Sequence, residues 1–446
     1  MKWFLGAILI LLTALVLESG LLAYSMYVLL AVMVISRVLA RSWIGHISAT
    51  RKCEQLTAEI GDEVPVEVKV RNSWWLPVPW VLLEDLLPRQ ALDQKPPRLR
   101  VKGKRLQICM LPADKELTST YTISCEMRGY YQIGPMVMES GDLFGLHRRY
   151  RVDADPHYLL VYPKVVPLQG YDLASRRPIG DVRMIHRLFE DPTRISGVRA
   201  YQAGDPLNRV HWGATARTGT LHSKIYEPST LAGATLLLDF HKASYHRQGE
   251  PHRSELAVTT TVSLANAVYE LGQQVGLISN GRDAADRIRL EGWQHDYRTR
   301  LAAREKVVMR ENSERLEPLV VQTRRGVEQF QRIRETLARV EMTDGLAVAE
   351  LITEVASRIP RDATVVAVLP DVTVETALSL GNLRRQGFAV SVVLIMIRSE
   401  QLEKCYGRLL AEGIIDVRPL GGEDGLPELC QQQVRKATPY LLQTEL

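Results

Sequence analysis

The chain has 446 residues, of which 46% are hydrophobic and 24% charged, and its formal net charge is +5. This composition is typical of a folded protein, and the length predicts two soluble domains in addition to any membrane segment. The small positive charge suits a place beside anionic lipid at least as well as nucleic-acid binding. Because the sequence also has no RNP, KH or zinc-finger pattern, we exclude nucleic acid as a partner.

Two apolar runs separated by a short polar break dominate the first forty residues. The runs cover residues 3–17 and 21–35. One continuous helix over both would be about 50 Å long, against a hydrocarbon core of roughly 30 Å. We therefore predict a transmembrane helical hairpin over residues 1–40, with a single span or a cleaved signal peptide as the alternatives. Basic residues flank both ends of the pair, and they are Lys2, Arg37, Arg41, Arg51 and Lys52.

This charge distribution predicts a multi-pass protein of the inner (plasma) membrane whose soluble domains are cytoplasmic, because positive flanks favour the cytoplasmic side. The cysteines agree with that side, since they are few, odd in number and without a CxxC pair, as is typical of reduced thiols. They are Cys53, Cys109, Cys125, Cys405 and Cys430. The alternative is a disulfide between Cys109 and Cys125 on adjacent strands, which requires an extracellular location.

The next segment alternates apolar and polar residues with the period of a β-strand. Examples are Val64, Val66, Val68 and Val70, which are separated by polar residues or proline. Several such stretches, interrupted by Gly, Pro and Asn-Ser turns, predict an antiparallel β-sandwich over residues 41–170. Three tryptophans here have two interpretations, an exposed binding surface or a place in the core or at the membrane interface. They are Trp74, Trp75 and Trp80.

Residues 229–446 follow a different pattern, in which buried strands alternate with amphipathic helices. This order predicts an α/β domain with a doubly wound parallel sheet. A stretch rich in Arg and Glu interrupts it at about residues 282–344. We expect this stretch to be a solvated helical insertion, with a partner-binding arm as the alternative.

Two aspartates follow strands of this sheet at the edge where α/β proteins bind ligands. Asp239 ends the run ATLLLD, and Asp371 follows TVVAVLPD. Both together are candidates for a divalent-cation site, although each is equally suited to capping a helix or starting a turn. Three histidines in the loop after the first strand, His241, His246 and His252, are zinc-ligand candidates by residue type alone, because their spacing matches no standard site. Phosphate-binding loops and the GxSxG and HExxH motifs are absent from the sequence.

The densest motif lies between the two soluble domains, in a junction segment over residues 171–228. Gly204-Asp205-Pro206 predicts the start of a helix that runs to about Arg217, and a strand is expected over residues 220–226. The charged side chains of this segment are expected to form a buried ion-pair network that fixes the domain junction. They are Arg199, Asp205, Arg209 and Arg217.

At these residues the chain resembles the DUF58 family. The matching positions, in order, are Arg199, Tyr201, Gly204, Asp205, Arg209, His211, Trp212, Ala216, Arg217 and Leu221. Further matches upstream are RGYYQIGP at residues 128–135, GDLFGL at 141–146 and VYP at 161–163. The resemblance implies a membrane-anchored protein with a von Willebrand factor A-like domain, and partnership with a MoxR-type AAA+ ATPase and other A-domain proteins.

One departure from the resembled pattern concerns the cation site, which is normally D-x-S-x-S. Here Asp239 is kept, but His241 and Ala243 replace the two hydroxyl ligands, so a bound cation is not expected and no other cofactor is implied. We therefore expect a noncatalytic adaptor, in which the hallmark residues serve interaction. The alternative is a metal-dependent hydrolase that uses Asp239, His241 and Asp371, although no nucleophile–base pattern accompanies them.

Overall fold

The structure, a computed structural model, describes residues 2–143, 145, 147–169, 190–201, 210–228, 233–246, 248–291, 316–361 and 363–429. It is a multidomain protein of mixed α/β content. An apolar helical segment is followed by mainly antiparallel sheets and then by a largely parallel sheet with helices on both faces.

The apolar segment contains α1 (Lys2–Val16) and α2 (Gly20–Gly45), which pack against each other. Among the described residues, only α2 is long and apolar enough to cross a membrane, and the apolar stretch of α1 is shorter. With 26 residues, α2 is about 39 Å long. Small residues occupy buried positions of this pair, as expected where two helices approach closely. They are Ala7, Ala14 and Ala23.

Two four-stranded antiparallel sheets pack around one core directly after α2. The first has the order β1 (Ile47–Cys53), β3 (Glu63–Asn72), β7 (Glu116–Cys125), β5 (Leu99–Gly103), and the second β10 (Arg148–Asp153), β9 (Met136–Gly141), β4 (Val78–Asp85), β6 (Leu106–Leu111). The valines predicted to face inward on β3 are buried in this core. A one-turn helix, α3 (Arg89–Asp93), precedes β5.

The strand register places α2 and the α/β domain at opposite ends of this sandwich. Ile47, which follows α2, pairs with Asn72 at the end of β3. The other end of β3 pairs Glu63 with Ser124 of β7. Just beyond it lies a three-stranded sheet of β2 (Thr57–Glu59), β11 (His157–Tyr162) and β8 (Gly129–Ile133), and this small sheet contacts the α/β domain.

The junction segment is described in part. It forms a two-stranded antiparallel sheet of β12 (Glu190–Ala200) and β13 (His222–Pro228), with α4 (Trp212–Thr218) between them. The predicted end of the helix is confirmed, because Gly219 closes it with a left-handed φ of 70°. Its predicted start at Gly204-Asp205-Pro206 lies outside the described residues.

The α/β domain has a six-stranded sheet in the order β17 (Leu319–Arg324), β15 (Gln274–Ser279), β14 (Gly233–Leu238), β19 (Ala363–Leu369), β20 (Val390–Ile395), β21 (Val417–Leu420). Only β17 runs antiparallel to its neighbour. One face is covered by α5 (His252–Glu270) and α7 (Val327–Arg339), and the other by α8 (Val348–Val355), α9 (Val374–Arg385) and α10 (Ser399–Ala411). The chain leaves the central β14 in both directions, as in doubly wound sheets.

The prediction of a solvated insertion at about residues 282–344 is wrong for its described part. A short strand pair, β16 (Arg282–Asp283) with β18 (Val340–Glu341), encloses α6 (Ala284–Glu291), β17 and α7. Phe330, Ile333 and Leu337 of α7 are buried in the core. The sequence suggested a solvated helix because most residues of α7 are polar or charged. Its apolar residues form only a narrow stripe with helical spacing.

The four described cysteines, Cys53, Cys109, Cys125 and Cys405, are free thiols. Cys109 lies on β6 and Cys125 on β7, in different sheets. The alternative of a disulfide between adjacent strands therefore does not apply to this pair.

Candidate functional site at the sheet edge and domain junction

Asp239 lies at the carboxyl edge of the parallel sheet and is bonded by groups of the protein itself. One carboxylate oxygen, Oδ1, accepts from the backbone N–H of His241 at 3.0 Å and from Asn280 Nδ2 at 3.0 Å. The side chain is 1% exposed. Burial raises the pKa of the carboxyl group, although hydrogen bonds from Ser244, Asn280 and the His241 backbone oppose that rise. Asp239 therefore stabilises the loop that follows β14.

Asn280, at the end of β15, completes this arrangement and was missed by sequence reasoning. Its Oδ1 accepts from the Phe240 N–H at 2.6 Å, and its Nδ2 also donates to the carbonyl oxygen of Leu346 at 2.9 Å. One amide side chain thus joins its own loop to two others at the same edge. A single asparagine after an apolar strand gives no signal that separates this role from a turn.

The other candidate ligands are also bonded to nearby groups of the chain. Nδ1 of His241 accepts from the Ala243 N–H at 3.2 Å, and Nδ1 of His246 accepts from the Gln248 N–H at 3.2 Å. Asp371 is exposed, and its Oδ1 accepts from the Val372 N–H at 2.8 Å. In the part of the chain that the structure describes, no three His, Cys, Asp or Glu side chains are grouped for metal binding. The side chains of Asp239, His241, His246 and Asp371 are therefore not arranged as ligands of one divalent cation.

A cationic side chain occupies the same edge. Arg253, near the start of α5, donates from Nε to the carbonyl oxygen of Ile395 at 3.1 Å and from Nη2 to that of Pro370. These carbonyls follow β19 and end β20, where a doubly wound sheet opens its ligand crevice. A guanidinium thus binds two backbone oxygens at this edge of the sheet.

Arg128 joins the sandwich to this edge. It follows β7, is buried, and donates from Nη1 to the carbonyl oxygens of Leu337 at 2.8 Å and Val340 at 2.9 Å. Its Nε lies 3.1 Å from Glu255 Oε2, and its guanidinium lies 5.4 Å from the centre of the Phe240 ring. Because Phe240 follows Asp239 directly, the domain junction covers part of the carboxyl edge.

Further contacts extend the junction along α7 and α5. Arg334 of α7 pairs with Glu59 at 2.6 Å and stacks on the Tyr162 ring at 4.4 Å. The backbone N–H of Val166 donates to Ser263 Oγ at 2.9 Å. The residues after β11 therefore lie against α5, and the two soluble domains share a continuous contact.

The upstream motif at residues 128–135 is explained by these contacts. Besides Arg128, it holds Gly134, whose φ is 90° and where an added Cβ would overlap the Arg51 guanidinium. Arg51 forms a fully buried ion pair with Asp85, which also accepts from the Tyr121 hydroxyl at 2.6 Å. The motif thus provides Arg128, which joins the two domains, and Gly134, whose missing side chain leaves room for the buried Arg51–Asp85 pair.

The hallmark residues are described only in part, and their predicted interaction role stays a prediction. Trp212 is 68% exposed, Arg217 is exposed, and His211 caps α4 by accepting from the Ala214 N–H at 2.9 Å. Arg199 and Tyr201 lie at the end of β12. Gly204, Asp205 and Arg209 lie outside the described residues. An exposed Arg217 does not agree with the buried ion-pair network that the sequence predicted.

Comparison with protein families gives one match. Residues 197–298, from the end of β12 into the charged stretch, match the family model described as "Protein of unknown function DUF58". Over 271 residues the chain is 25% identical to "Uncharacterized protein YeaD" of Bacillus subtilis (strain 168). That alignment covers 60% of this chain and 65% of YeaD, which is less than two thirds of the relative's length.

Similar solved structures match parts of the chain. The CARDB domain of the PF1109 protein from Pyrococcus furiosus covers 26% of this chain and 91% of its own, at 14% identity and a TM-score of 0.17. Proximal thread matrix protein 1 from the mussel byssus covers 45% of this chain and 46% of its own, at 8% identity and a TM-score of 0.29. A PapD-like domain of human CEP192 covers 26% of this chain and 84% of its own, at 14% identity and a TM-score of 0.16.

Proposed function

The chain belongs to the DUF58 family, and we propose that it is a noncatalytic adaptor, tethered to the inner membrane, that works with a MoxR-type AAA+ ATPase in the assembly or maturation of protein complexes. The observation that carries the noncatalytic part is the chemistry of the sheet edge. Asp239 is buried and bonded by Asn280 and the loop backbone, and Arg253 binds the carbonyl oxygens beside it.

A von Willebrand factor A-like assignment of the α/β domain is supported by the doubly wound order and by Asp239 at the end of the central strand. In place of a cation site, the edge has an aspartate held by neutral donors. Such a domain would bind partners through its surface rather than through a metal.

The membrane tether is supported by α2, whose length and apolar composition suit one span. Its contact with α1 is consistent with a two-helix hairpin. Both ends would then be cytoplasmic, because Lys2 precedes the pair and Arg37 and Arg41 follow its apolar part.

The partner proposal is tested by purifying the full-length protein from detergent-solubilised native membranes, with ATP, with ADP and without nucleotide. Recovery of a MoxR-type ATPase in at least one nucleotide state is the expected result. If no AAA+ ATPase is recovered in any of the three states, while the protein itself is recovered folded, the partner proposal is wrong.

The alternative function, a metal-dependent hydrolase using Asp239, His241 and Asp371, makes a different prediction. Such an enzyme needs a stoichiometric divalent cation, which elemental analysis of the purified protein would detect. We expect no zinc, magnesium or manganese above trace level, both in the wild type and in an Asp239→Asn variant. A stoichiometric cation that Asp239→Asn removes would favour the hydrolase instead.

A further inference from the structure

The end of the sandwich beside α2 consists of three strand connections that the register brings together. They are the connections from β3 to β4, from β6 to β7, and from β9 to β10. Asn72 pairs with Ile47, Val78 with Leu111, and Val81 with Ser140. Ile47 begins β1, and Val78 and Val81 lie in the first half of β4. All three connections therefore lie at the end where α2 enters the sandwich.

This end is firmly attached to α2. Arg151 of β10 donates to the carbonyl oxygen of Gly45 at 2.9 Å, and Ser73 Oγ donates to that of His46 at 2.8 Å. The His46 ring stacks on Trp74 at 5.5 Å. The last turns of α2 also pack against β9 and β10, with Trp43 in the sandwich core. The sandwich therefore has a fixed distance from any membrane that α2 crosses.

Large apolar side chains are exposed at this end, although a polar residue would suit either position in water. Trp75 is 74% exposed in the first connection, and Leu143 is 71% exposed in the third. Exposed Trp is enriched where protein meets the headgroup layer, because the indole has both an apolar body and a polar N–H. Trp75 meets the Trp74 ring edge-on, with 6.0 Å between the ring centres, but most of its surface stays exposed.

A cationic band accompanies them, formed by Arg37 and Arg41 of α2 and Arg148 and Arg149 of β10, all of which are exposed. Glu139 lies 3.8 Å from Arg148. Anionic lipids attract such juxtamembrane basic residues.

We propose that this end of the sandwich is a lipid-binding surface. Trp75 and Leu143 enter the interfacial layer of the membrane, and the cationic band contacts the phosphates of anionic lipids. The proposal rests on the membrane tether of the proposed function, and it adds that the sandwich lies on the membrane rather than apart from it. The α/β domain, joined at the opposite end through Arg128, is then held at a set height above the lipid.

The test uses full-length protein in lipid nanodiscs, with the five native cysteines replaced by serine. Spin labels are attached to Trp75→Cys, Leu143→Cys and, as a control at the opposite end of the sandwich, Ile60→Cys. Power-saturation spectroscopy then measures collision of each label with oxygen, which concentrates in lipid, and with a water-soluble nickel chelate. We expect several-fold less collision with the chelate at positions 75 and 143 than at position 60.

A second experiment tests whether the charge of the lipid contributes to binding. Arg148→Glu with Arg149→Glu, or nanodiscs of phosphatidylcholine without phosphatidylglycerol, should raise chelate collision at position 143. If the cysteine-free protein does not fold, brominated lipids replace the labels, and Trp75→Phe should reduce the lipid-quenched share of tryptophan fluorescence. No such reduction would overturn the proposal.

Failure of the membrane tether can be distinguished from failure of the lipid-binding surface. If alkaline carbonate extracts the protein from native membranes, the tether itself is wrong. If the protein stays in the membrane but positions 75 and 143 collide with the chelate as often as position 60, the tether stands and the lipid-binding surface is wrong.

Discussion

Arg128 donates from Nη1 to the carbonyl oxygen of Val340 at 2.9 Å, so a side chain at one end of the sandwich is bonded to the residue that follows α7. The same guanidinium faces Glu255 of α5. Both helices lie on one face of the parallel sheet. A motion of the sandwich relative to the α/β domain must therefore break a buried, charged contact or carry α5 and α7 with it.

Replacing Arg128 by alanine should loosen this junction. Removing one partner of a buried ion pair costs about 3–5 kcal/mol, and because Glu255 is 25% exposed the lower end of that range applies here. We expect the opening free energy of Val327–Arg339 to fall by about that amount, as measured by hydrogen exchange with mass spectrometry.

Arg100→Ala is the matched control for that prediction. Arg100 pairs with Glu126 at 3.3 Å, but both side chains are well exposed, so its loss should cost at most about 1 kcal/mol. Equal protection of α7 in the two variants would show that Arg128 does not hold the junction.

Gly134→Ala tests the buried ion pair of the sandwich. A Cβ at this position overlaps the Arg51 guanidinium, and its φ of 90° is left-handed. Gly61 has a φ of 99°, and no atom lies within 4 Å of a Cβ added there, so Gly61→Ala isolates the backbone strain of about 1–2 kcal/mol. Gly134→Ala should cost about 3 kcal/mol more, because the Arg51–Asp85 pair is displaced.

Thermal unfolding followed by circular dichroism measures both glycine variants. The Tm of Gly134→Ala should lie several degrees below that of Gly61→Ala. If the two values coincide, the space next to Gly134 is not needed for the Arg51 side chain.

Much of the α/β domain could be predicted because its central strands are continuous apolar runs, buried on both faces, and its helices are amphipathic. The runs ATLLLD and TVVAVLPD, which were expected to be strands, form β14 and β19. The last strand, β21 (Val417–Leu420), has the sequence VRPL and lacks the continuous apolar run of β14 and β19. Its position is therefore less clear from the sequence.

The candidate site was harder to predict, because its contacts depend on residues far apart in sequence. Arg128 and Val340 are separated by 212 positions, and nothing local to either indicates the other. Asp239 was found by its place after a strand. Its hydrogen bonds from Asn280 and the loop backbone, which make it structural, depend on how three loops meet.

The buried carboxyl of Asp239 predicts a pH-dependent difference in stability. Its pKa is raised in the folded state by burial, so the folded protein holds this proton more tightly than the unfolded chain. Stability from this group is present below the ordinary aspartate pKa of about 3.9 and is lost as pH rises through the raised value. The Asp239→Asn variant has no ionisable group at this position, so it does not lose this stability as pH rises.

Denaturant titrations across that pH range measure the effect. The stability of Asp239→Asn relative to wild type should improve as pH rises above about 4 and then level off. Asp371→Asn, an exposed change at the same edge, controls for the loss of one negative charge. A relative stability of Asp239→Asn that falls with pH would mean that the ionised carboxylate is the form the fold prefers.

Trp212→Ala tests the hallmark helix as a docking surface for the proposed ATPase. Among the described residues of α4 none is buried, and Trp212 is 68% exposed, so its loss should change stability by no more than about 0.5 kcal/mol. An exposed tryptophan that anchors a partner typically contributes about 2 kcal/mol or more to binding. We therefore expect normal thermal unfolding but loss of the co-purified ATPase.

Leu378→Ala is the control for that experiment, because Leu378 is an exposed apolar residue of α9, 45% accessible and away from the hallmark. It should leave both unfolding and co-purification unchanged. If Trp212→Ala and Leu378→Ala recover the same amount of ATPase, the exposed face of α4 is not the docking surface. If Trp212→Ala instead lowers the Tm by several degrees, Trp212 supports the fold, and its exposure has another explanation than partner binding.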